Sequence, residues 1–259
     1  MKKLIIIACV ACFSLSAAAQ QSIRLGNITL RIHDKDPASA KSENGYKYSS
    51  YSTAVGFGFI VPDAGSYAAQ PGNSINLDVG GIFKRNHLRW FATGATSQYS
   101  YYNYRLRDIN EESAFKSVML GDREFARSAI NKQVFRSHNI AHGVFSRFYL
   151  KPPENARRDD GFYVDLGLQG DLAFSKYYIL KHPNGGKDKY RDTGTFNTFA
   201  ASAVARIGWK QWSKNSNASH AFYFRYRFTN AFNQSVLPMD LPRLTVGVIF
   251  VENQNRRKR

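Results

Sequence analysis

The run from Gly161 to Leu180, GFYVDLGLQGDLAFSKYYIL, alternates with a period of two. Phe162, Val164, Leu166, Leu168, Leu172, Phe174, Tyr178 and Leu180 share one parity, interrupted by Gly170 and Lys176. Tyr163, Asp165, Gly167, Gln169, Asp171, Ala173 and Ser175 share the other. Successive side chains of a strand point to opposite faces, so the pattern gives an apolar face backed by a polar or small one. The run is well beyond the roughly 5–6 residues of an ordinary globular strand. Two architectures accommodate it: a membrane barrel with lipid outside and a polar lumen, or one long strand of a soluble β-sandwich. The other segments decide between them.

The alternation recurs along the chain. Residues 48–61 place Tyr51, Thr53, Val55, Phe57, Phe59 and Val61 on one side, and Ser52, Ala54, Gly56 and Gly58 on the other. Residues 74–84 set Ile75, Leu77, Val79 and Phe83 against Asn76, Asp78 and Gly80. The short link Arg85-Asn86-His87 leads to a strand over 88–105, whose tyrosine-rich far half, QYSYYNYR, is expected to project past a membrane interface. Further strands are expected over 134–150, 162–180, 196–210, 220–229 and 243–251. In the seventh, Phe222, Phe224, Tyr226 and Phe228 alternate with Tyr223, Arg225, Arg227 and Thr229. Residues 108–132 differ: acidic starts and apolar residues at helical spacing predict one or two short helices in a long loop. HPNGGKDKYRDTG is expected to be a turn-rich loop.

The reading is therefore all-β, an eight-stranded antiparallel transmembrane β-barrel over residues 48–252, even-numbered as a single-chain bacterial barrel requires. A lipocalin-like soluble barrel would also have about eight strands. It would turn its apolar faces inward and leave Asp165, Asp171, Arg225 and Arg227 as its exterior. Aromatic residues make up 14% of the chain, with 15 Tyr and 19 Phe, a load suited to interface girdles. After the first residues no apolar run is long enough for a spanning helix, so a place in a membrane implies a closed barrel.

Met1-Lys2-Lys3, the apolar run from Leu4 to Leu15, and Ser16-Ala17-Ala18-Ala19 match a secretory leader cleaved after residue 19. Cys9 and Cys12 both lie in it, so the mature chain would carry no thiol. Residues 20–47 form a polar extension expected on the periplasmic side, with a short strand expected within Ile23–Ile32. Residues 253–259 form a basic tail there. The net charge of +17 fits contact with lipopolysaccharide phosphates, anionic lipid or nucleic acid without choosing among them.

Asp78, Asp165 and Asp171 fall on the expected lumen face, as do Arg206, Arg225 and Arg227. An eight-stranded barrel has an interior just wide enough for side chains to fill. Unpaired charges would be costly there, so these six are expected to pair as a plug, with a gated ion path as the sharper alternative. Arg105, Arg107, Lys181, Lys187, Lys189 and Arg191 sit near expected outer strand ends, placed to hold lipopolysaccharide phosphates or simply to be solvated. His138 and His142, four apart, share one strand face but lie too far apart for an obvious shared ligand set. Ser137 adjoins His138 on the opposite face. The chain shows no Gly-rich phosphate loop, paired-carboxylate motif or zinc spacing, and no cofactor is implied.

In the last strand Thr245, Gly247 and Phe250 form a polar-x-Gly-x-x-aromatic pattern. It resembles the signal by which outer-membrane barrels are recognised for insertion, although nine further residues follow Phe250. With the leader and the strand series, the chain resembles the small outer-membrane β-barrel proteins of Gram-negative bacteria, OmpA/OmpX-like in architecture and PorT-like or porin-like in the broad sense. The resemblance implies outer-membrane lipid, lipopolysaccharide and the barrel assembly machinery as partners, with no nucleic acid, and it carries over no catalytic residue. The lipid A deacylases among such barrels use an H-x-S spacing that this chain lacks. Three functions follow as expectations. The first is a non-enzymatic surface, adhesion or envelope-integrity protein. The second is an accessory subunit of an envelope secretion or assembly complex, and the third is a lipid-modifying enzyme.

Overall fold

A computed structural model describes residues 23–25, 28–30, 49–62, 73–106, 132–151, 161–181, 185–192, 194–210, 218–233 and 240–253. The expected leader, Arg107, the basic tail and all of the stretch expected to be helical over 108–132 except Lys132, which begins a strand, lie outside the described residues. The chain divides into two units, Met1–Gly45 and Tyr46–Arg259. In the first, β1 (Ile23–Leu25) and β2 (Ile28–Leu30) pair antiparallel, Ile23 opposite Leu30 and Leu25 opposite Ile28.

The second unit contains β3 (Ser49–Val61), β4 (Ile75–Asn86), β5 (Phe91–Leu106), β6 (Lys132–Lys151), β7 (Phe162–Lys181), β8 (Lys187–Arg191), β9 (Phe199–Lys210), β10 (Ala218–Arg227) and β11 (Leu244–Asn253). Eight of these close into an antiparallel β-barrel, each of β3 to β7 and β9 to β11 paired with its neighbour in sequence, and β11 returning to β3. Closure leaves none of the eight as an open edge. We term the end where β3, β5, β7 and β10 finish the upper end. Both Ser49 and Asn253 are at the lower end.

The alternation sorts the wall into two faces. Outward, Val55, Val79, Leu166, Leu168, Phe224 and Phe250 are all exposed. Inward, Asn76, Ser100, Asp165, Ser202, Arg206 and Arg225 are all buried. On β9 the outward row runs from Phe199 through Ala201, Ala203, Ala205 and Ile207 to Trp209. Ten residues of tilted strand correspond to a band of about 25 Å, the height of the apolar belt of outer-membrane barrels.

Three differences from the sequence reading share a cause in local backbone geometry. The first is in β7, where His138 faces Ser175 and Asn139 faces Ala173, so Phe174 is an extra residue in a β-bulge. The bulge reverses parity beyond it. Tyr178 and Leu180, expected outward, turn into the lumen at 1% and 0% exposure, and Ser175, expected inward, turns out. The second is the expected loop after residue 181, which contains β8, paired with Tyr177–Lys181. Gly185, at φ 83°, takes the left-handed backbone of this return. The third is Phe196, expected to begin a strand. It instead bridges Phe232, and β9 starts at Phe199. The wall beside the upper half of β7 is thus β8, and the chain between β8 and β9 folds inward.

Candidate functional site

The lumen is filled in three layers. At the lower end Arg147 of β6 forms a two-pronged ion pair with Asp165 of β7, its Nε donating to Oδ1 at 2.7 Å and its Nη2 to Oδ2 at 3.0 Å. Arg206 of β9 approaches the same carboxylate at 3.6 Å. The guanidinium of Arg147 stacks 3.5 Å from the ring centre of Tyr163. Tyr163 in turn lies over Gly208, where a Cβ would collide with its ring. Lys84 donates to the Tyr149 hydroxyl at 2.8 Å.

The middle layer is built around Arg225 of β10. Its Nη2 donates to Asp78 Oδ2 at 2.7 Å and its Nη1 to the Tyr102 hydroxyl at 2.5 Å. Ser100 donates to Asp78 Oδ1 at 2.6 Å. Tyr223 lies along a cross-strand row over Gly247 and Gly58 and donates to Asn76 Oδ1 at 2.7 Å. A Cβ on either glycine would meet the Tyr223 ring or hydroxyl. Asp171 departs from the expected pairing. Its carboxylate accepts from Gln169 Nε2 at 2.8 Å, and among the described residues it forms no ion pair. Gln169 has reached it along its own strand, two residues away on the same inward face.

The upper layer is an aromatic and carboxylate plug. Phe196 stacks on Phe135 with ring centres 3.7 Å apart and meets Phe232 at 4.5 Å. Ile60, Tyr102, Tyr104, Leu106, Tyr178, Leu180 and Leu241 complete this buried cluster. Two aspartates pin the infolded segments. Asp192 accepts from the Thr195 and Phe196 amides at 3.0 and 3.3 Å and pairs with Lys176 at 3.2 Å. Asp240 pairs with Arg227 at 3.2 Å and Arg243 at 3.1 Å, and accepts from the Ala231 amide at 2.7 Å. Burial works against the charge of Arg243. Its hydrogen bond with Tyr226 and the Asp240 carboxylate nevertheless hold its pKa above the ordinary arginine value.

All six expected lumen charges are therefore buried inside the barrel, in separate clusters at different heights. Arg225 pairs with Asp78, Arg206 stands beside Asp165, and Arg227 finds Asp240. Arg147 and Asp240 complete these clusters and were not anticipated. Arg147 sits among inward aromatics, Phe145 and Tyr149, that hide the polar face of β6. Asp240 lies in PMDLP, which has no alternation at all.

On the outer wall, His138 Nδ1 is 2.5 Å from the Tyr99 hydroxyl, and its ring packs among Tyr101, Phe174 and Tyr177. Ser137 is buried on the lumen side, so the two do not meet. His142 is exposed. Among the described residues no group of three or more His, Cys, Asp or Glu could hold a metal ion. Thr245 is buried in the lumen, while Phe250 is exposed, edge-on to His220 at 5.1 Å. Arg105, Lys181, Lys187, Lys189 and Arg191 gather on one outward face at the upper end, spread over β5, β7 and β8. No protein-family model matches the chain, and no curated protein sequence matches it.

Proposed function

We propose that this protein is a non-enzymatic outer-membrane β-barrel of a Gram-negative bacterium, exported with a cleaved leader, that serves the cell envelope through its outer wall and rims rather than through its lumen. One observation carries this reading: the two faces of the wall have opposite chemistry. The outward face is an apolar band. Placed in water, the exposed side chains from Val55 to Phe250 would leave a patch far beyond the few hundred Å² that soluble monomers tolerate. The inward face buries its cations against carboxylates and aromatic rings, which suits a stabilising interior better than a passage. Surface contact, adhesion or support of the envelope then falls to the upper rim and the connecting segments at 62–74, 107–131 and 228–243.

The test is outer-membrane fractionation combined with migration on unboiled gels. A folded barrel is expected in the outer membrane and to run faster before boiling than after. Recovery of the mature chain as a soluble periplasmic protein overturns the reading. An accessory role in an envelope complex is supported by a different feature, the separate N-terminal unit with its β1–β2 pair, which offers a docking segment. Stoichiometric partners that co-purify with the whole chain in mild detergent, and are lost when residues 20–45 are deleted, would favour it.

A further inference from the structure

Seven cations share one outward face at the upper end of β5, β6, β7 and β8, and strand register places them in three cross-strand rows. One row runs Asn103, Arg136, Tyr177, Arg191, and the next runs Arg105, Val134, Ile179, Lys189. The third sets Lys132, Lys181 and Lys187 side by side. Lys132 and Arg136 belong to β6 and join the cluster only through this pairing.

Like charges directly opposite one another destabilise a sheet. Among the described residues no acid on this face offsets them. Among the described residues none of the seven forms an ion pair. The acid of β8, Asp188, has the other parity and faces Leu180. Arg105 Nε is buried without a hydrogen-bond partner. Arg136 Nε donates to Asn103 at 2.9 Å, and Lys189 sits 3.7 Å above the Tyr177 ring, so two of the cations are positioned rather than free.

Directly below these rows lies the aromatic shelf of Tyr99, Tyr101, His138 and Phe174, where the apolar band ends. A ligand reaching the cations from the side would have its chains against the apolar wall and its anionic groups level with the three rows. At about 4.8 Å between strands the four strands are about 14 Å wide, room for more than one phosphate. Arginine binds phosphate through paired N–H donors and lysine as a point charge, and both are present. We propose that this face binds an anionic lipid with two phosphates on a sugar headgroup, held chiefly by Arg105, Lys132, Arg136, Lys181, Lys189 and Arg191, with the Asn103 amide and the Tyr101 and Tyr177 hydroxyls facing the sugar. The proposal rests on the outer-membrane reading above.

The experiment uses the full-length barrel in zwitterionic detergent, titrated with bisphosphorylated lipid A, monophosphoryl lipid A, phosphatidylglycerol and free pyrophosphate, with bound lipid counted by native mass spectrometry. Bisphosphorylated lipid A is expected to bind about tenfold or more tighter than the monophosphoryl form, a difference of about 1.4 kcal/mol. Phosphatidylglycerol is expected to bind more weakly still, and pyrophosphate not measurably. The variant Arg136→Gln/Lys181→Gln/Lys189→Gln/Arg191→Gln should lose at least about thirtyfold in affinity, because four charge-assisted contacts go. The variant Arg85→Gln/Lys151→Gln, at the opposite rim, should bind as the parent does. Faster migration before boiling certifies that each variant is folded. Unchanged lipid A binding in the first variant, an equal loss in the second, or phosphatidylglycerol binding as tightly as bisphosphorylated lipid A overturns the site. If the chain fractionates with the outer membrane yet shows any of these, only this site falls. If it fractionates as a soluble protein, the architecture on which the site depends falls as well.

Discussion

Arg225 and Asp78 stand 147 residues apart in the chain and 2.7 Å apart in the lumen, each almost wholly buried. Their pairing ties β10 to β4 across the barrel interior, between strands that share no backbone hydrogen bonds. Removing one partner leaves the other charge uncompensated. Asp78→Ala is therefore expected to destabilise the folded barrel by about 3–5 kcal/mol. Replacing both, as Asp78→Leu with Arg225→Met, should cost far less or stabilise by about 1–4 kcal/mol, as buried pairs exchanged for apolar residues often do. Urea unfolding in lipid vesicles, followed by tryptophan fluorescence, measures both. Equal losses in the single and double variants would contradict the assignment.

Tyr223 has its place because Gly58 and Gly247 leave it room. Gly58→Ala is expected to cost about 1–3 kcal/mol through overpacking against the Tyr223 ring and hydroxyl. In a Tyr223→Ala background the same substitution should cost under about 0.5 kcal/mol, and the cycle of four proteins yields the coupling directly. A null coupling would mean that the glycine serves some other neighbour.

The layered lumen predicts electrical silence. Planar-bilayer recordings of the parent barrel should show no discrete steps. The same holds for Phe196→Ala/Phe232→Ala, because the Arg147–Asp165–Arg206 cluster still fills the lower end. Unit conductance in the aromatic variant would show that the upper plug alone seals the barrel.

Ser137 and His138 lie on opposite faces of β6 and share no proton. Ser137→Ala and His138→Ala should each leave the acylation pattern of lipid A unchanged in whole cells, as read by mass spectrometry. A changed acyl count with either variant would argue for an enzyme.

Much of this fold was legible because lipid-style alternation is a strong signal wherever a strand has one wholly apolar face. Leu166, Leu168 and Phe224 announced their direction, and Asp78, Asp165 and Arg225 announced theirs. The signal fails where both faces are apolar. Across Tyr177, Tyr178, Ile179 and Leu180 neither parity is polar, so nothing in the residues marks Phe174 as a bulge. It also fails where neither parity is apolar throughout, as in Lys187–Arg191, whose pairing with Tyr177–Lys181 no alternation marks. Partnerships were harder still. Residue type foretold that the lumen charges would be buried. It did not foretell that Arg147 would claim Asp165 or that Asp240 would anchor Arg227, because those contacts depend on strand register and on a segment folded back into the mouth.

The first and last staves of this cylinder, β3 and β11, are neighbours, with Gly58 beside Gly247 and Ser52 beside Asn253. The ring is therefore complete only when β11 is in place beside β3. A product cut short after Arg227 would carry two raw edges, one at each end of an open sheet. Closure of the wall thus rests on one short ribbon, seated against the strand that opens the series.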